Sequence, residues 1–156
     1  MSLIAAALVL AATQQVPAKV TYKPYLNSRF GFSVDVPTFL KANPEPENGD
    51  GLSWQTKDKK VIFMAYASNN VLDEEISEMH RKEESSAKKS GAKNLYSVLK
   101  KDWFVVSYSL KGRISYRKVW IANEVSQVVD FDYDQKLAKQ MDPIVAHVVK
   151  SFKPGK

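Results

Sequence analysis

The chain has 156 residues, a formal net charge of +6 and no cysteine. That length is one domain, and the lack of thiols excludes disulfides, thiolate catalysis, Cys-based zinc sites and a lipidated cysteine anchor. The basic residues are dispersed over turns (Lys57, Lys59, Lys60; Lys100, Lys101; Lys111, Arg113) and one helical stretch, so they gather into no single positive face of the kind nucleic acid requires.

Leu3 to Ala12 is a ten-residue apolar run, too short to cross a bilayer. Small residues at Ala11, Ala12 and Ala18 offer cleavage points, so residues 1–18 read as a secretory signal peptide and 19–156 as the mature domain. No Lys or Arg precedes the run; either the α-amino group supplies the positive end or the true start lies upstream. The expectation is a periplasmic or secreted domain with no stable membrane insertion of the mature chain.

Tyr22 to Pro37 reads as a strand, a turn at Asn27-Ser28-Arg29 and a second strand ended by Pro37. Lys41 to Gly51 is rich in Pro and Gly, and is the loop most suited to function. A hairpin follows, with strands at Leu52–Thr56 and Val61–Ser68 around a charged turn. Asp73 to Ser90 is expected to be a helix, with Leu72, Ile76, Met79 and Ala87 as its apolar stripe, acids at its start and Lys88, Lys89 at its end. Gln135 to Met141 is a short helical stretch, and Asp142-Pro143 should open a separate final helix as N-cap and first residue.

Between the helices, Lys93 to Asp134 reads as a four-stranded antiparallel meander, rich in β-branched and aromatic residues. Its turns are taken as Lys101-Asp102, Lys111-Gly112-Arg113 and Asn123-Glu124. Pairing Leu110 with Ile114 sets Tyr108 against Tyr116 and Phe104 against Trp120, with Leu95, Leu99 and Phe131 on the same apolar face. Pairing Ala122 with Val125 sets Arg117 opposite Asp130 and Arg113 opposite Asp134, and opposite charges across strands are favourable. The other face then holds Val98, Trp103, Val105, Val119, Ile121 and Val128, enough to seat a helix. Beside them lies a polar shelf of Tyr96, Ser107, Ser115, Arg117, Asp130 and Asp132, a recess whose Arg117 could meet an anion or a partner's carboxylate.

Catalytic signatures are missing. His80 and His147, the two histidines, have no metal-motif spacing and read as structural or surface groups. Asp130, Asp132 and Asp134 share a strand face but have Arg117 and Arg113 to neutralise them, so no metal or other cofactor is expected. Asn48-Gly49-Asp50-Gly51 has calcium-loop residue types without the later bidentate Glu and reads as a tight turn. Asn48, Asp50 and the neighbouring Trp54 are nevertheless kept with the shelf as candidate binding residues.

The segment Tyr25-Leu26-Asn27-Ser28-Arg29-Phe30-Gly31-Phe32-Ser33 leading to Pro37, then Asn48-Gly49-Asp50-Gly51, Arg117 in the meander, and Asp142-Pro143-Ile144 through Ser151-Phe152-Lys153-Pro154 resemble small exported bacterial proteins of unassigned function. Their order of strands and helices is similar to the PsbP-like fold, shared by the PsbP subunit of photosystem II and Ran-binding Mog proteins. The resemblance implies an α+β fold, an α/β/α sandwich whose central antiparallel sheet has helices on both faces. It also implies binding or assembly rather than catalysis, since relatives serve as extrinsic subunits, binding partners or secretion-system adaptors. The expected function is thus a non-enzymatic exported domain that binds a protein partner or envelope component. A small-molecule or ion carrier is the first alternative and a hydrolase the second.

Overall fold

A computed structural model describes residues 16–155; the apolar run at Leu3–Ala12 lies outside them. In chain order the elements are β1 (Tyr22–Leu26), β2 (Ser33–Pro37), β3 (Lys41–Ala42), β4 (Gly51–Gln55), β5 (Val61–Asn69), α1 (Ile76–Lys89), β6 (Lys93–Leu99), β7 (Trp103–Leu110), β8 (Arg113–Ala122), β9 (Val125–Asp134) and α2 (Ala138–Ser151). Seven strands form one antiparallel sheet in the order β3-β4-β5-β9-β8-β7-β6, while β1 and β2 pair separately. The fold is α+β, and the meander expected between Lys93 and Asp134 is present as β6 to β9.

Side-chain alternation divides this sheet into two faces. On one, Phe63, Phe131 and Val129 are fully buried beneath α2 and the β1–β2 hairpin, which contribute Met141, Ile144, Val148, Phe32 and Val34. Aromatic rings connect the layers: Phe32 stacks on Phe152, and Phe152 on Trp120 at 4.3 Å. On the opposite face a smaller core of Phe104, Val106, Val119 and Val128 receives Ile76 and Met79 from α1. Helices therefore cover both faces, as expected.

Both helices differ in detail from their sequence expectation. Asp73 has a left-handed φ of 48° and α1 begins only at Ile76, which leaves Leu72 outside the helix and 83% exposed. Asp142-Pro143 starts no new helix, because α2 runs unbroken through Pro143. Buried Met141, Ile144, Val145 and Val148 make one continuous stripe across it, and a proline this near the helix start removes a single hydrogen bond early in the ladder.

The β8–β9 register is as expected, with Arg117 opposite Asp130, Tyr116 opposite Phe131 and Ala122 opposite Val125. The β7–β8 register is one residue away from expectation: Leu110 pairs with Arg113, Phe104 with Val119 and Ser107 with Tyr116. The cause is the turn. Lys111 and Gly112 both have positive φ, 50° and 77°, the signature of a two-residue type I′ hairpin rather than a three-residue loop. One residue of slip turns every β7 side chain over relative to β8. Phe104, Val106 and Tyr108 consequently lie toward α1, and Trp103, Val105 and Ser107 toward α2.

Candidate functional site

That slip divides the expected polar shelf. Ser115, Arg117, Asp130 and Asp132 share the α1 face, as the β8–β9 pairing requires. Ser107 pairs with Tyr116 and Tyr96 with Ser107, which places both on the α2 face. The shelf is therefore two surfaces.

On the α1 face Arg117 is engaged through all three of its guanidinium nitrogens. Its Nε and Nη2 donate to Asp130 Oδ2 at 2.8 and 2.5 Å, and its Nη1 donates to Glu83 Oε1 of α1 at 2.6 Å. Burial disfavours the Arg117 charge, yet Asp130, Tyr66 and Glu83 outweigh it and raise its pKa. Asp130 is only 6% exposed, and burial pushes its carboxyl upward against the pull of Arg117. Arg113 bonds Asp132 through Nε, and Asp134 accepts from the Lys136 backbone N–H at 2.9 Å. Each aspartate of the row is thus used separately. This cluster ties α1 to the sheet, with the Nε–Nη2 edge of Arg117 spent on Asp130 and its Nη1 on Glu83.

The Asn48–Gly51 loop is held just as firmly. Buried Asn27, in the β1–β2 turn, donates from Nδ2 to the Gly49 carbonyl at 2.9 Å and accepts the Phe30 N–H at 2.7 Å. Arg29 Nη1 donates to the Asn48 carbonyl at 2.7 Å and to Asp50 Oδ1 at 2.5 Å. Asn48 and Asp50 therefore join two loops. Trp54 is 5% exposed, stacked on Phe63 and edge-on to Tyr25; it belongs to the core rather than to a surface beside the loop. Pro44, Pro46, Met64 and Tyr66 line a shallow depression there of about 390 Å³.

Each histidine has one partner. His147 Nε2 lies 2.9 Å from Asp35 Oδ2, with its ring stacked on Tyr22. His80 Nε2 lies 2.6 Å from Ser97 Oγ, edge-on to Phe104. Neither combines a hydroxyl and a carboxylate in its hydrogen bonds, and no group of three or more His, Asp or Glu among the described residues is placed to hold a metal.

The α2 face contains what sequence reasoning missed. α2 covers the centre of the sheet and leaves β6, β7 and part of β8 open. Lys118 lies between two indoles there, its Nζ 4.0 Å from the Trp103 ring centre and 4.8 Å from that of Trp120. Burial lowers its pKa, and the indole faces accept the cation. Between α2 and the open strands is a cleft of about 400 Å³, lined by Ser107, Ile114, Tyr116, Val145 and Val149 among others. Burial pushes the Tyr116 phenol up to about 12, as it does Tyr133, whose hydroxyl donates to Asp142 at 3.4 Å. Beyond the cleft the sheet ends at β6, where Tyr96 is 59% and Leu99 41% exposed.

The architecture matches the solution structure of cyanobacterial PsbP (CyanoP) from Synechocystis sp. PCC 6803, with a TM-score of 0.60 over 85% of this chain and 92% of that one, at 9% sequence identity. The chain has a PsbP-like fold. No protein-family model and no curated protein sequence matches it. No helix among the described residues is long and apolar enough to cross a membrane.

Proposed function

We propose that this chain is a non-catalytic PsbP-like domain of an exported protein, and that it binds a protein partner along the β6 edge. The carrying observation is that edge itself. β6 ends the seven-stranded sheet, its outer backbone groups have no neighbouring strand among the described residues, and it carries exposed Tyr96 and Leu99. An edge that combines unpaired backbone groups with apolar side chains is a template for an added strand. Lys93 and the Lys100-Lys101 pair flank it, which favours a segment with acidic ends. Export is supported by the Leu3–Ala12 run, and a non-enzymatic role by histidines held in separate structural contacts. An envelope component would use the same edge.

A photocrosslinking residue placed at Tyr96 should give a discrete adduct with envelope extract of the source cells, competed by excess unmodified chain and lost on Leu99→Asp. The same probe at Lys139, on exposed α2, should give none. Identical products from both positions, or no effect of Leu99→Asp, would refute this assignment.

A further inference from the structure

The cleft beside α2 continues past the sheet into a second, polar cavity. The first measures about 400 Å³ and the second about 410 Å³, and both are lined by Asn94, Ser109 and Gln135. They are two ends of one recess, of the size that small-molecule sites occupy.

The two ends differ in chemistry. At the apolar end Ile114 and Tyr116 of β8 face Val145 and Val149 of α2. At the polar end are Lys93 and Lys111, with no carboxylate among the described residues of its lining. Neither lysine has an ion-pair partner among the described residues, although most charged side chains of α1 and the sheet do. Asp142, the single carboxylate among the described residues that line the recess, lies in the first cavity and accepts the Tyr133 hydroxyl. The α1 C-terminus, whose dipole opposes an anion, has its Ser86, Ala87 and Lys88 carbonyls occupied by the N–H groups of Ser90, Gly91 and Ala92.

Hydrogen-bonding capacity is also left over between the ends. Asn94 Nδ2 donates to Ser109 Oγ at 3.0 Å, and Ser109 Oγ to the Lys93 carbonyl at 3.2 Å, so the wall is fixed. The Gln135 side-chain amide and the Tyr116 phenol line the recess with no protein partner among the described residues. Asn94, held at a φ of 52° beside the β6 bulge, opens this end of the sheet.

We propose that the recess binds a small amphiphilic anion, with a carboxylate or phosphate-monoester head between Lys93 and Lys111 and an apolar body against Ile114, Tyr116 and Val149. Charge complementarity selects the head, because two cations without carboxylates would meet it. The unpaired Gln135 amide and Tyr116 hydroxyl supply orienting hydrogen bonds, and the α2 side supplies apolar contact. This assignment shares Lys93 with the proposed β6 edge, but its probes are small molecules read on the chain alone, so it can fail while the edge assignment stands.

The test is a titration of the whole chain with 2-naphthoate, 2-naphthyl phosphate and the neutral 2-naphthamide, followed by amide NMR shifts. At least one anionic probe should bind saturably and at least tenfold more tightly than the amide, with shifts centred on Asn94, Ser109, Gln135 and Val149. Which anion is preferred distinguishes a carboxylate from a phosphate ligand. The double variant Lys93→Gln/Lys111→Gln should lose at least tenfold for that anion and leave the amide unchanged. Ala146→Trp, on the exposed side of α2 within the lining, should fill the cleft and remove binding of all three, with thermal melting confirming that both variants fold. Equal binding of charged and neutral probes, no saturable binding, shifts elsewhere, or full affinity in the double variant would each overturn the proposal.

Discussion

Arg117 makes three charge-assisted hydrogen bonds to two carboxylates, one of them almost dry. The desolvation of such a pair offsets much of its Coulomb attraction, so the pair itself adds little, while removing one member leaves a buried charge uncompensated. Arg117→Met should therefore lower stability by about 3 kcal/mol at neutral pH. Arg117→Met/Asp130→Leu should return to within about 1 kcal/mol of the parent, and Glu83→Gln, at a half-exposed partner, should cost less than about 1 kcal/mol. The pH dependence has a definite sign. Burial raises the Asp130 carboxyl in the folded state, and without Arg117 nothing opposes it. A raised folded pKa means that the folded chain holds the proton more tightly than the unfolded one. The penalty in Arg117→Met is therefore smallest below the unfolded carboxylate value near 4 and grows as pH rises through the folded one. Urea melts at pH 4 and pH 7 measure it; a penalty that is larger at pH 4 would contradict the burial argument. At this scale the Arg117–Asp130 contact was legible, because Asn123 tolerates the left-handed backbone of a two-residue turn and the charges match across the strands it joins. That Glu83 completes the set was not legible, since it depends on how α1 lies over the sheet.

At the scale of elements, hairpin turns decide which surface each strand contributes. The three turns of the meander each join strands through two residues, and two of them require left-handed backbone: Lys111-Gly112 at 50° and 77°, and Asn123-Glu124 at 51° and 61°. Asn123-Glu124 could be read correctly because Asn tolerates that region. Lys111 does not advertise it, and counting Arg113 into the turn moved β6 and β7 to the wrong face together. Leu95, Phe104 and Tyr108 were thereby exchanged for Tyr96, Val105 and Ser107. What remained readable was whatever did not depend on the Lys111-Gly112 turn: the existence of four strands, the Lys101-Asp102 turn that pairs Leu99 with Phe104, and Ile76, Met79 and Ala87 of the α1 stripe. The same geometry predicts a stabilising change. Glu124 holds a β-carbon in the left-handed region, which costs about 1–2 kcal/mol, and glycine there would complete an Asn-Gly type I′ turn. Glu124→Gly should raise stability by about 0.5–1 kcal/mol once the added freedom of the unfolded chain is subtracted. The backbone carbonyl of residue 124, which accepts the Asn70 N–H at 2.7 Å, is unchanged by the substitution. A lower denaturation midpoint for this variant would show that the turn is under no strain.

For the whole molecule the layers were expected on both faces of the sheet, and the core that joins them begins earlier in the chain than the domain boundary drawn at residue 19. Val16 is 8% exposed and packs in the main core with the β1–β2 hairpin and α2. Sequence alone made Ala11, Ala12 and Ala18 equivalent cleavage points, because small residues before a cut say nothing about which side chains the fold will bury. Packing separates them. Cutting after Ala18 removes Val16, whereas cutting after Ala11 or Ala12 retains it. Burying a valine contributes about 1.5 kcal/mol or somewhat more, which in a domain of this size is a shift in melting temperature of about 5 °C. A chain beginning at Thr13 should therefore melt about 5 °C above one beginning at Lys19. Val16→Ser in the longer chain should abolish most of the difference, since a hydroxyl there would be buried without the apolar contact. On the proposed export, N-terminal sequencing of the processed chain should correspondingly find Ala12 or Thr13 first. A mature protein starting at Lys19 with the same melting temperature as the Thr13 chain would mean that the segment before β1 adds nothing to the core, and that the domain begins where the sequence first placed it.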